Sequence, residues 1–171
     1  PLLSRRGPRG QRPSLESDIA RVFVWWVPRT ADEGAELFVQ PDDGATPAAQ
    51  RRRIVIRLRA ETLIGPTLCR TLLRRELLHI ADMVDPDFGY QPTLPPSPAG
   101  PAEDRLVAAR YGVAWAATIL GRLVRRARLP TEAGAEAAKR FGRAFPMLGA
   151  AASDAFERFF AEDHPTHVRL A

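Results

Sequence analysis

Up to about residue 60 the apolar side chains of this protein recur at every second position, and from Pro66 onward they recur at every third or fourth. The stretch "RRIVIRLRA" at 52–60 puts Ile54, Ile56 and Leu58 on one side of an extended chain and Arg53, Val55, Arg57 and Arg59 on the other, the alternation of a half-exposed strand. Two earlier runs, "RVFVWWVP" at 21–28 and "AELFVQP" at 35–41, also read as strands, with "RTADEG" and "DDGATP" as turns. Pro66 suits the first turn of a helix, and Leu68, Leu72, Leu73, Leu77, Ile80 and Val84 make a helical stripe that ends before Asp85-Pro86. Residues 101–128 and 131–162 predict two long helices parted at Leu129-Pro130, with Phe141, Phe145, Leu148, Ala152, Phe156, Phe159 and Phe160 as the core stripe of the second. Strands followed by helices predict an α+β fold, in which a small N-terminal sheet packs on the helix after Pro66 and two long C-terminal helices follow.

The segments between these elements bound the domain. "PLLSRRGPRGQRP" at 1–13 mixes Pro, Gly and Arg without apolar periodicity, which predicts a flexible basic arm ahead of one domain at 14–171, with Ser14 or Ser17 capping a short first helix. "DPDFGYQPTLPPSPAGP" reads as an extended loop with fixed bends, tied down by burial of Phe88 and Tyr90. A chain of 171 residues can bury a real core unaided, and the single Cys69 reads as a small buried hydrophobe that forms no internal disulfide. A reducing, cytoplasmic compartment is therefore expected. No stretch approaches the roughly 18 apolar residues of a membrane span, and the N-terminus does not read as a signal peptide.

The net charge of +5 and a pI near 10.5 permit nucleic acid or an acidic partner. The arm, "RRRIVIRLR" and "GRLVRRARLP" are the basic clusters, and the last could set Arg122, Arg125, Arg126 and Arg128 along one helix end. Arg-rich, Ala-rich composition also arises from a GC-rich genome, so the balance alone identifies no ligand. Trp25 and Trp26 are neighbours on a strand-like run and face opposite sides, one toward the core and one toward a partner or an adjoining helix.

The chemistry-bearing segment is "LLRRELLHIADMVDPDFGY" at 72–90. In H-E-x-x-H, two histidines one helical turn apart hold zinc and the glutamate activates the metal-bound water. The five corresponding residues are Arg75, Glu76, Leu77, Leu78 and His79. The segment resembles the active helix of the zincin metallopeptidases, with Arg75 where that family carries its first His ligand. In the longer zincin motif the third ligand stands six residues after the second His, the place of Asp85, whereas Asp82 stands where that motif has Gly. "DMVDPDFGY" is similar to the end of the motif in uncharacterised bacterial zincin-like proteins, and a strand just before the helix, here "RRRIVIRLRA", belongs to the zincin layout, whose edge strand lines the substrate cleft. The likeness covers roughly residues 50–92.

What the resemblance implies depends on Arg75. A guanidinium about 4 Å from a divalent ion adds about 8 kcal/mol of repulsion at an effective dielectric near 20. Structural zinc sites bind with only about 10 to 16 kcal/mol. The expectation is a zincin-like protein with a degenerate metal site and no resident cofactor, a non-catalytic binding or scaffold subunit in which Arg75 replaces the metal's charge beside Glu76 and Asp82. If active instead, it would be a zinc-dependent peptidase with Glu76 as general base and His79 and Asp85 as ligands. A composite site is a further reading, with His164 and His167 of "EDHPTHVRL" reaching back to His79 and Glu162 and Asp163 offering oxygen. Another class altogether is a basic protein that binds nucleic acid or an acidic partner. The plainest reading leaves Arg75 and Glu76 as surface charges and His79 as a half-buried, hydrogen-bonded imidazole.

Overall fold

The computed structural model describes residues 15–171, so the basic arm and Ser14 lie outside the described residues. A short helix α1 (Leu15–Asp18) leads into strand β1 (Arg21–Trp26); β2 (Gly34–Val39), α2 (Ala48–Arg51) and β3 (Arg52–Leu58) follow. The three strands form one sheet in the order β1-β3-β2, with β1 parallel and β2 antiparallel to β3.

The third strand differs from expectation. It alternates as read, but it is central rather than half exposed, because Val55 on the arginine side is buried along with Ile54, Ile56 and Leu58. The edge strand beside α4 is instead β2. Its turn is anchored by Glu33, whose carboxylate accepts the Arg59 backbone N–H at 2.9 Å and so ties the β1–β2 connection to the end of β3. Hydrogen bonds from buried Thr62, and then from Arg59, hold the Glu33 carboxyl below the usual range.

After α3 (Ala60–Ile64), helix α4 (Pro66–Val84) starts on a proline, whose missing N–H is one of the unpaired donors of a first turn in any case. Its stripe lands as read: Leu72, Leu73, Leu77 and Ile80 pack against Ile54, Ile56 and Leu58, with Cys69 partly buried beside them. Leu68 departs from the stripe and is exposed. Leu78 and Met83, on another side of α4, pack on a second core, so this helix lies between the sheet and the helical half.

That half begins with α5 (Pro101–Arg125). The second expected stretch is helical over its range but broken, into α6 (Ala133–Ala144), a 3-10 segment (Pro146–Ala151) and α7 (Ala152–Ala161), with α8 (His167–Leu170) closing the chain. Pro146 cannot donate to the preceding turn and Gly149, at φ +51°, reverses the chain direction; together they fold α7 back on α6 and α5. Phe141 and Phe156 are buried in this core and Phe145, Leu148, Phe159 and Phe160 pack against it, so the aromatic stripe survives the break. The architecture is α+β. Among the described residues no helix is long and apolar enough to cross a membrane.

Candidate functional site

The α4 motif sits where the sheet meets the helical core, beside the start of β2. Glu76 lies under that strand: a Cβ added to Gly34 would be 3.7 Å from Glu76 Oε2. Arg75 is nearly half exposed and its Nε donates to Glu76 Oε1 at 3.2 Å. The expected pairing of Arg75 with Glu76 is thus present, and the expected pairing with Asp82 is not.

Asp82 has another partner. Arg122 of α5 donates from Nη1 to Oδ1 at 2.8 Å and from Nη2 to Oδ2 at 2.5 Å, and Trp115 Nε1 adds a third bond to Oδ2 at 2.8 Å. Both charged side chains are buried, at 4% and 9% exposure. A buried carboxylate needs its lone pairs satisfied, and a bidentate arginine with one indole donor does so here. Arg122 is therefore a core residue rather than part of a basic surface.

His79 forms a T-shaped contact with the same Trp115, with centroids 4.8 Å apart and planes at 86°. Burial lowers its pKa, and the charges of Glu76 and Asp82 only partly oppose that shift. A lowered folded pKa disfavours protonation in the native state, so the unfolded chain binds the proton first as pH falls. The stability advantage of wild type over a His79→Leu variant should therefore shrink as pH falls from about 7.5 to about 5, through the ordinary histidine pKa of about 6.5. Urea unfolding of both proteins at several pH values measures it; an advantage that stays constant or grows on acidification would contradict the assignment.

Asp85 closes α4 and builds the turn after it. Its side chain accepts the Asp87 N–H at 2.9 Å and its carbonyl accepts from Phe88 and Gly89. Gly89 has φ +68°, a left-handed position that suits glycine, and the turn drives Phe88 into the core, stacked on Trp115 at 5.0 Å. The run "DPDFGY" is thus accounted for by turn geometry and packing. One Asp85 oxygen is engaged locally, and the position four residues before His79 holds a cation; these residues do not fit an orthodox zinc centre, which needs three ligands and an open position.

The two remaining histidines are not brought together with His79 into a ligand set. His167 is buried, its Nδ1 within 2.8 Å of the Tyr111 hydroxyl and its backbone N–H on the Phe88 carbonyl. His164 is exposed, with its N–H on Glu162 Oε1. Glu162 and Asp163, the expected oxygen ligands, pair with Arg169 and Arg125. Among the described residues no group of three or more His, Cys, Asp or Glu side chains is arranged to hold a metal ion.

Among the described residues the arginines of the basic clusters are also largely engaged. Arg57 pairs with Glu36, Arg59 with Glu33, and Arg52 with Asp18. Arg125 donates to the Phe160 and Glu162 carbonyls and to Asp163, and Arg74 caps the Arg128 carbonyl at 2.7 Å. Sequence reasoning missed the Trp115–Asp82–Arg122 network. Its signal was present: Trp115, Thr118 and Arg122 recur at helical spacing on the buried side of α5.

Compared with protein-family models, curated proteins and solved structures, the chain matches none of them.

Proposed function

We propose that this protein is a zincin-like scaffold that has lost the metal chemistry and serves as a non-catalytic binding subunit for another protein. The observation that carries this reading is the Arg75–Glu76 pair: the residue that would act as base lies against a cation that stands in the first ligand position. A water-activating glutamate needs its lone pairs directed at a polarised water; here one oxygen is held by a guanidinium and no metal charge is needed to balance it.

The surface that supports a partner is β1. All six of its residues are exposed, five of them apolar, with Val24 at 58%, Trp25 at 57% and Trp26 at 69%. Val22, Val24 and Trp26 stand in register with buried Ile54, Ile56 and Leu58, yet α4 packs beside β2 and no element among the described residues covers them. The far edge of β1 pairs with no strand among the described residues. Edge strands usually carry charges, Pro or a bulge to discourage pairing, and within β1 only its first residue, Arg21, is charged. An extended segment of a partner added along that edge would gain main-chain hydrogen bonds and two apolar faces.

Selection of random extended peptides against the protein tests both halves of the proposal. The expected result is peptides of alternating apolar residues that bind wild type at least about tenfold more tightly than a Val24→Lys/Trp26→Lys variant and are recovered uncleaved. Peptides that bind the variant equally well would remove the strand-addition reading, and cleaved peptides would remove the non-catalytic one.

A further inference from the structure

A cleft of about 410 Å³ opens between the proline-rich loop at 91–96 and α5, with His167 of α8 in its lining. This volume falls within the roughly 300 to 1,000 Å³ of ordinary small-molecule pockets. Its aromatic walls come from Tyr90, Tyr111 and Trp115, and the prolines of the loop fix the opposite side.

Charge singles out this cleft. The protein carries a net +5 and arginines over most of its length, yet among the described residues no Lys or Arg lines the cleft, and the one acidic side chain in the lining is Asp104. The Asp104 carboxylate is fixed in place, since its Oδ1 accepts the Ser97 N–H at 2.6 Å and leaves the other oxygen for a ligand. The neighbouring phenols stay neutral: burial raises the pKa of Tyr90 and of Tyr111. Neutral aromatic rings offer the negative side of their quadrupoles, which attracts cations and repels anions.

We propose that this cleft binds an alkylammonium group, a quaternary or primary ammonium on an apolar body, with the Tyr90 and Tyr111 rings beside the cation and Asp104 as its counter-charge, while buried Trp115 backs the two phenol rings. This assignment does not depend on how the α4 motif or β1 is read. Two sources share the chemistry, a free organic amine and a lysine or methyl-lysine side chain of a polypeptide.

The test uses the intact protein and three probes of similar size, benzyltrimethylammonium, benzyl alcohol and benzoate, titrated while backbone amide resonances are followed. Saturable shifts are expected at residues 90–96 and 104–115, with the ammonium bound at least about threefold more tightly than the alcohol and benzoate weakest. Asp104→Asn, which keeps an acceptor for Ser97, should weaken the ammonium about two- to fivefold and leave benzyl alcohol unchanged. Equal affinity for the three probes, or no localised shifts with the ammonium, overturns the proposal, and this comparison on wild type stands even if the variant does not fold. A trimethyl-lysine peptide that binds more tightly than the free cation assigns the site to a polypeptide, and the reverse assigns it to a free amine.

Discussion

Replacement of Arg122 by Met should destabilise the protein by about 3 to 5 kcal/mol, the cost of leaving one member of a buried ion pair without its partner. Asp82 would keep only the Trp115 N–H, and its charge would remain in the seam between α4 and α5. Neutralising both partners, as Asp82→Asn with Arg122→Met, removes the buried charge and should recover at least half of that loss; an Asn at 82 still offers Trp115 an acceptor. Chemical denaturation of the wild type, the single variant and the double variant reads both effects. A single variant within about 1 kcal/mol of wild type would mean that the pair is hydrated or absent in solution.

Gly121→Ala should also be strongly destabilising, by at least about 3 kcal/mol, although helix propensity alone favours Ala over Gly by about 1 kcal/mol. A Cβ at 121 would overlap the carbonyl group of Phe160, which is backbone and cannot rotate away, and would crowd the Arg125 guanidinium that donates to that same carbonyl. Gly112 on the same helix is the control, because a Cβ there meets nothing within 4 Å. Gly112→Ala should stabilise by about 0.5 to 1 kcal/mol. Opposite signs at two glycines of one helix isolate the close approach of α5 and α7 from intrinsic propensity. Equal signs would show that the two helices separate easily.

Much of the fold was legible because period and punctuation agree. Alternation in 52–58, the proline at 66 and the stop at Asp85-Pro86 each reflect a local constraint, and each element appears within a residue or two of its expected bounds. What local pattern cannot encode is which strand becomes central. β3 took that place because β1 and β2 both pair with it, and the burial of Val55 follows from pairing at long range. The break at Pro146 was visible as a residue, but the aromatic periodicity continues across it, since α6 and α7 fold back on a shared core.

The candidate site was legible in part for the same reason. Helical spacing puts Arg75 and His79 on one side of α4, and the charges of Glu76 and Arg75 do act on the His79 ring. It could not show that Asp82 turns toward α5, because the partner is forty positions away and looked like one of several basic residues at a helix end. It also could not show that His167 is engaged with Tyr111 and buried apart from His164, which depends on the docking of the chain end against α5.

Zinc stoichiometry tests the loss of metal chemistry most directly. Wild-type protein and Arg75→His are each equilibrated with zinc, passed through a desalting column and analysed for metal. Wild type should emerge essentially metal-free; zinc gained by Arg75→His, which restores the imidazole pair at i and i+4 and removes the repulsion of about 8 kcal/mol, would show that the rest of the ancestral ligand cradle survives. One zinc per wild-type chain, lost when His79 is replaced by Leu, would contradict the reading of Arg75 and restore the peptidase alternative.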